Sequence, residues 1–494
     1  MIGAGLVLGG ALATTLALRG ADESTRTQPD PAREQTLATR SRGPAQGEGS
    51  LRWIVAAGGS IPELNQVQIE QDVALIAETF SAIGPGRVLF GAGVDSPSVQ
   101  ELAPTSTRDP VVASLADLFA PRGGRDARYR LPTIAVDEAA TATSLARTIE
   151  HATSTRGAPL VLVLAGHGNR GETARDNTVD LWAQSSLTVA ELAAMLDRAQ
   201  REVRVVATTC FSGGFAELVF DGADPAAGPA GPVRCGLFAT VWDLEAAGCD
   251  PNPDRAAQEG YALHFFNALR GRDRDGGALD PAVLDLDGDG AISLLEAHTR
   301  VRMVSEAADV PTTTSERWLR AVAPEQGPSL PVSLPEEDAL IEALTQRLDL
   351  QNREPVAFAQ LEALEDRIEA ASGALEDAQA REDEAYRLAA AALLARWPVL
   401  DDPWHPDFGA TVADARAAIA EHLETDPVHA AYRTARAEVD RRVQELAELR
   451  RRAAWLERLT RALDNRELAG RLHAAGGTNW QIYERLLTCE RSLP

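Results

Sequence analysis

The chain contains no lysine, so each of the 48 strong cations among its 494 residues is an arginine. Acidic residues outnumber these arginines, 73 to 48, and the net charge is -25. Proteins that bind nucleic acid neutralise phosphates with a basic surface, which this composition does not supply. The sequence therefore argues against a nucleic-acid partner and favours metal cations or a cationic substrate.

Long hydrophobic runs are scarce. One lies at the start of the chain, in residues 1–19, where the apolar run MIGAGLVLGGALATTLAL is followed by Arg19. Its length fits the core of a signal peptide better than a full membrane span, and a short membrane anchor is the alternative. No arginine precedes the run, and no clean small-x-small cleavage site follows it. Residues 20–50 are polar and contain proline and glycine, which predicts a disordered linker. We expect an exported protein, whether periplasmic, secreted or membrane-anchored.

Cysteine is rare, with four residues at Cys210, Cys235, Cys249 and Cys489. Cys235 and Cys249 are close enough in sequence to form a disulfide, and export would permit the bond. Four cysteines allow three pairings, which the sequence does not distinguish. A Cys235–Cys249 disulfide is therefore one expectation, and reduced thiols in a reducing compartment are the other.

At this length about two to three structural units are expected. Over residues 51–310, apolar strands alternate with amphipathic helices, which predicts an α/β domain with a mostly parallel sheet sandwiched by helices. Residues 93–135 are rich in Pro, Ser and Arg and predict a long surface loop. The expected strands are LRWIVAAG (51–58), RVLF (87–90), PLVLVLA (159–165), VRVVATT (203–209) and GLFATVW (236–242).

Two patterns predict helices of different kinds. Thr188 and Glu191 have the spacing of a capping box, which begins a helix. Over residues 335–475 the composition shifts to Ala, Glu, Arg and Leu with apolar residues at a spacing of three and four. Because residues 397–408 interrupt this pattern, it predicts two long helices folded into an antiparallel hairpin or coiled coil. We expect this hairpin to act as a scaffold or as a surface for a protein partner.

Two of the expected strands end on residues with catalytic chemistry. One ends in Gly166-His167-Gly168 and the other in Thr209-Cys210. In parallel sheets the carboxyl ends of neighbouring strands meet at one edge, so the imidazole can take the proton of the thiol. Backbone N–H groups of Gly168 and Cys210 would then hold the oxyanion that develops on a substrate carbonyl. Either residue alone would more often be structural; their joint placement predicts a catalytic pair.

These two blocks, LVLVLAGHGNRG and VRVVATTCFSGGF, resemble those of caspase-like cysteine peptidases, the superfamily of caspases, metacaspases, legumains and gingipains. WIVAAGGSIPELNQVQIEQDV and GLFATVWDLEAAGCDPNPD are similar to bacterial members on the legumain-like side. The resemblance covers about 50–310 and implies peptide hydrolysis through an acyl-enzyme. It makes Cys210 the nucleophile, His167 the general base, and the amides of Gly168 and Cys210 the oxyanion hole, without a third carboxylate. A catalytically silent binding protein and a transpeptidase are the alternatives.

The chain departs from the family at the position two residues before the cysteine. Caspases have a glutamine there that helps to bind the substrate and metacaspases an acidic residue, whereas this chain has Thr208, which we expect to line the substrate pocket. Asp243 and Glu245 follow the last expected strand, where the specificity pocket is often completed, and they could pair with a basic residue of the substrate. They could equally be ordinary loop acids, so the preferred cleavage site stays open.

The segment DLDGDGAISLLE, residues 285–296, fits the twelve-residue calcium loop. Its ligand positions are Asp285, Asp287, Asp289, Ala291 through its carbonyl, Ser293 and Glu296. Oxygen donors at this spacing predict a calcium site, with a solvated acidic turn as the alternative. Because no second loop of this kind occurs in the sequence, we expect a structural calcium ion and no cooperative sensor.

Residues 221–234, DGADPAAGPAGPVR, lie between the cysteine strand and the next one. Their Gly, Pro and Ala content predicts an exposed loop. In caspase-like enzymes the corresponding region is often cut during activation. Self-processing in this loop, for example after Arg234, is therefore a further hypothesis.

Overall fold

The computed structural model describes residues 51–103, 109–119, 127–350 and 353–492. The expected leader (1–19) and linker (20–50) lie outside the described residues. Within the described ranges, no helix combines the length and the apolar character that crossing a membrane requires. The sheet and the C-terminal helices belong to one compact unit.

A six-stranded sheet forms the centre, in the order β2-β1-β5-β9-β10-β11. The first five of these strands are parallel, and the short β11 pairs antiparallel to β10. The expectation of an α/β fold with a mostly parallel sheet and a C-terminal helical region is therefore confirmed. The strands of the sheet are β1 (Trp53–Gly58), β2 (Gly86–Phe90), β5 (Leu160–Gly166), β9 (Val203–Ala207), β10 (Arg234–Phe238) and β11 (Thr312–Thr313).

Smaller sheets, thirteen α-helices and several short 3-10 helices complete the part of the chain that the structure describes. The remaining strands are β3 (Val99–Leu102), β4 (Ala127–Arg130), β6 (Gly168–Asn169), β7 (Thr178–Leu181) and β8 (Ser185–Thr188). The helices are α1 (Val67–Phe80), α2 (Pro110–Phe119), α3 (Ala142–Thr153), α4 (Val189–Leu196), α5 (Tyr261–Leu269), α6 (Leu294–Val304), α7 (Thr314–Val322), α8 (Pro335–Arg347), α9 (Arg353–Arg396), α10 (Phe408–Asp414), α11 (Arg416–Thr425), α12 (Pro427–Ala475) and α13 (Gly477–Glu490).

Helices cover both faces of the central sheet because its strands are apolar on both sides. Alternate strand residues such as Ile54 and Leu162 belong to the core on the face of α3 and α4. Their neighbours, for example Val55 and Val163, belong to the core on the face of α1, α5 and α6. The capping box predicted at Thr188 is present and begins α4.

The prediction of a long surface loop over residues 93–135 is wrong in part. It contains the antiparallel pair β3–β4 and helix α2. The sequence pattern does not indicate these two strands because they are short and mostly polar. Ion pairs hold them together. Glu101 on β3 accepts hydrogen bonds from Arg128 and Arg130 on β4, at 2.8 and 2.7 Å.

The long helices α9 and α12 pack side by side in opposite directions. Leu364, early in α9, shares an apolar cluster with Leu456, late in α12. Leu393, late in α9, shares another cluster with Tyr432, early in α12. The helices also share a core with the sheet, since Val219 and Cys235 pack with residues of α7 and α13 such as Trp318 and Ile482.

The disulfide predicted between Cys235 and Cys249 is wrong: Cys235 is bonded to Cys489, with Cα atoms 6.1 Å apart. Cys235 lies near the amino end of β10, whereas Cys249 follows the loop beyond the carboxyl end of that strand. A bond between them would have to span the strand. Cys489 is on α13, which packs beside β10, so the bond ties the last helix to the sheet.

Removing the Cys235–Cys489 bond is expected to lower the free energy of unfolding by about 2–4 kcal/mol. The bond closes a long loop, with a sequence separation of 254, and therefore restricts the unfolded chain strongly. Urea unfolding of Cys235→Ala/Cys489→Ala beside wild type measures this change, with Cys249→Ala as the control that removes an unbonded thiol. A reductant should lower the free energy of unfolding of the wild type to that of the double variant. Equal stability of these two proteins under oxidising conditions would contradict the pairing.

Candidate active site

His167 and Cys210 follow neighbouring strands in matching register. Leu164 on β5 pairs with Ala207 on β9, and the two residues lie three positions beyond this pair. The prediction that they follow adjacent parallel strands is therefore confirmed. Both side chains are partly buried. The parallel register thus places an imidazole and a thiol at the same edge of the sheet.

Glycine on each side of His167 allows the backbone to come close to its neighbours. A Cβ on Gly168 would lie 2.5 Å from the carbonyl oxygen of Cys210 and 2.8 Å from that of Thr178. Gly166 has a φ of +122°, and a Cβ there would lie 2.3 Å from the carbonyl oxygen of Gly58. Any larger residue would push the histidine loop away from the turn that carries Cys210.

The N–H of Gly168 is directed away from the adjoining strand. Asp180 donates its backbone N–H to the His167 carbonyl at 2.9 Å, and Gly168 is paired with Val179. Gly168 and Val179 are therefore a non-hydrogen-bonded pair of the antiparallel ladder. This leaves the Gly168 amide directed away from β7, as the predicted oxyanion role requires.

The ring of His167 is oriented by Gln66, which precedes α1. Ring nitrogen Nε2 lies 2.9 Å from Gln66 Oε1, and the amide nitrogen of Gln66 donates to the Glu63 carbonyl at 3.2 Å. Burial lowers the pKa of His167, while the nearby Asp180 carboxylate and a hydrogen bond with the Leu64 backbone oppose the change. The imidazole is therefore neutral near pH 7 and able to accept a proton.

The thiol of Cys210 contacts the loop after β10. Its sulfur is 3.4 Å from the Ala246 nitrogen and 3.5 Å from the Ala246 carbonyl oxygen. Burial raises the pKa of the thiol, the Ala246 N–H lowers it, and the negative charges of Glu245 and Asp309 raise it further. The described hydrogen bonds include none between this thiol and the His167 ring. The raised pKa favours the protonated thiol at neutral pH.

Asn177 joins the three loops around the thiol. Its side-chain amide donates to the carbonyls of Phe211 and Trp242 at 2.9 and 2.7 Å, and its oxygen accepts from the Gly171 N–H at 2.9 Å. The side chain is buried. Phe211, directly after Cys210, has a φ of +57°, so the chain turns sharply at the nucleophile position. Asn177 therefore fixes the histidine hairpin, the cysteine turn and the loop after β10 relative to one another.

A buried carboxyl, Asp309, lies behind the loop that contacts the thiol. Its Oδ1 accepts from the Ala247 N–H at 3.1 Å, and its Oδ2 has no partner among the described residues. Burial raises the pKa of Asp309 to about 7. Sequence reasoning missed Gln66, Asn177 and Asp309, because each acts through tertiary contacts that no local pattern marks.

The three residues predicted to line a specificity pocket do not all lie at one cavity. Thr208 is partly buried, and its N–H donates to the Leu164 carbonyl at 2.9 Å. Asp243 and Glu245 are exposed on the loop after β10. Only Asp243 of the three lines a cavity of about 670 Å³ that the structure describes beside the cysteine turn. The free thiol of Cys249 is near the site, and burial raises its pKa, as does the charge of Cys210.

The predicted calcium loop brings three of its six residues together. Carboxylate oxygens of Asp285, Asp287 and Asp289 lie within 4.8 Å of one another. Glu296 is turned to the protein: its Oε1 accepts from the Leu286 N–H at 2.6 Å and its Oε2 from the Ser293 N–H at 2.8 Å. The contact with Ser293 is one half of the capping box that begins α6.

That capping box also engages the Ser293 hydroxyl, a further predicted ligand. The Ser293 hydroxyl accepts from the Glu296 N–H at 3.2 Å, and the Ala291 N–H donates to the Asp289 carboxylate at 2.8 Å. The arrangement therefore presents an aspartate triad, with Glu296 engaged elsewhere.

The loop expected to be processed is exposed, but the bond after Arg234 is not. Arg234 is the first residue of β10, and its buried guanidinium pairs with Asp197 at 2.8 Å and donates to the Phe220 carbonyl at 2.7 Å. Cleavage after Arg234 would therefore require the start of β10 to open first. Cleavage elsewhere in residues 221–233 stays a prediction.

Neither the protein-family models nor the curated proteins with which the chain was compared give a match.

Proposed function

We propose that the protein is a cysteine endopeptidase of the caspase–legumain type, with Cys210 as nucleophile and His167 as general base. The observation that carries the proposal is the matched register of β5 and β9, which puts both residues three positions beyond one strand pair. The close fit of Gly168 against the Cys210 carbonyl supports it, because a substrate carbonyl needs backbone amides at this place. The resemblance of the two sequence blocks points to the same chemistry.

In the proposed reaction, His167 accepts the proton of the Cys210 thiol as the sulfur attacks the scissile carbonyl carbon. The carbonyl oxygen becomes an oxyanion that the amides of Gly168 and Cys210 stabilise. His167 then gives the proton to the leaving amine, and water hydrolyses the thioester with the same imidazole as base. Gln66 acts as a positioning residue, since its hydrogen bond fixes the plane of the imidazole. Capture of the thioester by an amine instead of water would give the transpeptidase.

We also propose that Asp285, Asp287 and Asp289 bind a structural calcium ion. Oδ1 of Asp285 is buried without a hydrogen-bonding partner among the described residues, which fits a carboxylate placed for a cation. An all-oxygen donor set of this kind suits a hard divalent ion. A bound ion would hold the loop that leads into α6 and would take no part in the reaction.

An exported location is part of the proposal. The Cys235–Cys489 disulfide supports it, because such bonds persist in oxidising compartments. The expected substrate is a protein or peptide, and α9 and α12 remain the surface that we propose for a protein partner.

A peptidyl acyloxymethyl ketone tests the nucleophile, because the thiolate displaces its carboxylate and forms a stable thioether. We expect Cys210 to label at least about tenfold faster than Cys249, since His167 serves one thiol and burial suppresses the other. Mass spectrometry of tryptic peptides over time gives both rates in the same molecule. His167→Ala should bring the Cys210 rate down toward that of Cys249. Equal labelling of the two thiols in the wild type would favour the catalytically silent binding protein, for which the raised pKa of Cys210 is the supporting observation.

A further inference from the structure

A cavity of about 670 Å³ lies between the loops of the sheet edge and the C-terminal helices. One wall is made by Gly213, three residues after Cys210, and by Trp242 and Asp243 after β10. Glu457 and Arg461 of α12 also line the cavity. The volume is within the range of small-ligand sites and exceeds the needs of a single side chain. The C-terminal helices therefore build part of a cavity that opens beside the proposed nucleophile.

The three arginines that line this cavity are already engaged in ion pairs. Arg317 pairs with Glu217 at 2.6 Å. Arg320 and Arg461 both pair with the buried Glu316, at 3.0 and 2.5 Å. These arginines hold the pKa of Glu316 at about 2 against the effect of burial, so its charge is maintained. The three cations are thus committed to internal ion pairs and do not make the cavity attractive to anions.

The acidic groups of the lining are less well compensated. Glu172 and Asp243 are exposed and form no ion pair among the described residues. Glu217 is about nine-tenths buried, at 7% exposure, and its Oε2 has no hydrogen-bonding partner in the described structure. The ion pair of Glu457 with Arg461 is long, with 3.9 Å between the guanidinium nitrogen and the carboxylate oxygen. Burial raises the pKa of Glu457, Arg461 lowers it, and the negative charge of Asp243 raises it further. The carboxyls of Asp243 and Glu457, which line the same cavity, therefore repel each other, and a bound cation would relieve that repulsion.

We propose that this cavity binds a basic side chain, an arginine or lysine, of the peptide substrate, with Asp243 and Glu457 as its specificity-determining carboxylates. The inference rests on the proposed peptidase function and adds to it that the helical region supplies part of the substrate site. A cation there would hydrogen-bond to both carboxylates and to the open oxygen of Glu217, and in a partly buried site such charge-assisted bonds are strong. Glu457 gives α12 a role in recognition as well as in scaffolding.

The test compares peptides that contain one arginine with peptides that contain citrulline, a neutral urea of the same shape, at the same position. A fluorogenic library carries this residue at each position on either side of the scissile bond. We expect the full-length protein to prefer arginine by about tenfold in kcat/KM at one position, the range expected of one or two charge-assisted bonds. Glu457→Gln and Asp243→Asn should each reduce the preference, and the double variant should abolish it. Glu467→Gln on the exposed face of α12 is the matched control and should keep the full preference.

Binding without turnover separates this proposal from the proposed function. Fluorescence anisotropy with Cys210→Ala protein measures the affinity for the arginine and citrulline peptides when no chemistry occurs. Tighter binding of the arginine peptide, reduced in the Cys210→Ala/Glu457→Gln protein and lost when Asp243→Asn is added, supports the cavity even if the wild type proves to be inactive. Equal affinity for the two peptides, or a preference that survives in the double variant of Asp243 and Glu457, would overturn it. Labelling of Cys210 by iodoacetamide, which carries no side chain, reports on the nucleophile independently.

Discussion

Peptide hydrolysis is expected to disappear in Cys210→Ala and to fall by about 10²–10⁴ in kcat/KM in His167→Ala. The reason lies in the described cysteines. Cys235 and Cys489 are bonded to each other, and burial keeps the thiol of Cys249 protonated. Cys210 alone follows a strand beside a neutral imidazole. A fluorogenic peptide library incubated with each purified variant gives the rates, and circular dichroism shows whether each variant is folded.

Two control variants make this result specific. Cys249→Ala should retain wild-type kcat/KM, because burial keeps the thiol of Cys249 protonated. Gln66→Ala should lower kcat more than it changes KM, since the histidine loses its orientation while the substrate contacts remain. Hydrolysis that persists in Cys210→Ala, or that requires Cys249 instead, would contradict the assignment.

The pH profile offers a second readout of the same pair. Burial and the charges of Glu245 and Asp309 raise the pKa of Cys210, so kcat/KM should increase with pH above neutrality as the thiolate fraction grows. The Asp309 carboxyl has a pKa of about 7 and gains its negative charge as the pH rises through that value. Removing this charge favours the thiolate. Asp309→Asn should therefore move this rise in kcat/KM to lower pH. A rise at unchanged pH would show that Asp309 does not influence the thiol.

The strand pattern was the most predictable part of the fold. Strands β5 and β9 are continuous apolar runs because both faces of the sheet are covered, and such runs are visible in any sequence. The capping box at Thr188 is equally local. By contrast, β3 and β4 are short and polar, and their stability comes from ion pairs between residues that are distant in the chain. A pattern search has no signal for contacts of that kind.

The same distinction applies to the site. His167 and Cys210 were found because each follows a recognisable strand and is next to or near glycine. Asn177 and Asp309 were missed because their roles depend on loops that meet only in the folded chain. The disulfide shows the limit clearly. Cys249 is much nearer to Cys235 in sequence than Cys489 is, but the direction of β10 separates the first two and α13 brings the last beside the strand.

Arg458→Met is expected to lower the free energy of unfolding by about 3–5 kcal/mol, the cost of removing one partner from a buried charged network. Arg458 lies on α12 and is 1% exposed. Its guanidinium donates to the backbone carbonyls of Asp309, Ser305 and Ala307, at 2.7, 3.0 and 2.7 Å. Methionine fills similar volume but leaves these buried carbonyls without a donor. Urea unfolding of the full chain measures the change.

The Arg458→Met substitution should also change the reactivity of the Cys210 thiol. Arg458 holds the segment that carries Asp309, Asp309 binds the Ala247 N–H, and the adjacent Ala246 contacts the Cys210 sulfur. We therefore expect iodoacetamide to label Cys210 in Arg458→Met at a rate that differs from wild type under conditions where the variant is folded. Arg458→Lys should rescue little, because a single ammonium cannot reach carbonyls that the planar guanidinium spans. Arg452→Met, on an exposed position of the same helix, should change stability by no more than about 0.5 kcal/mol. If the Arg458 and Arg452 variants were equally stable, α12 would be an appendage; a large difference would make it a structural support of the candidate active site.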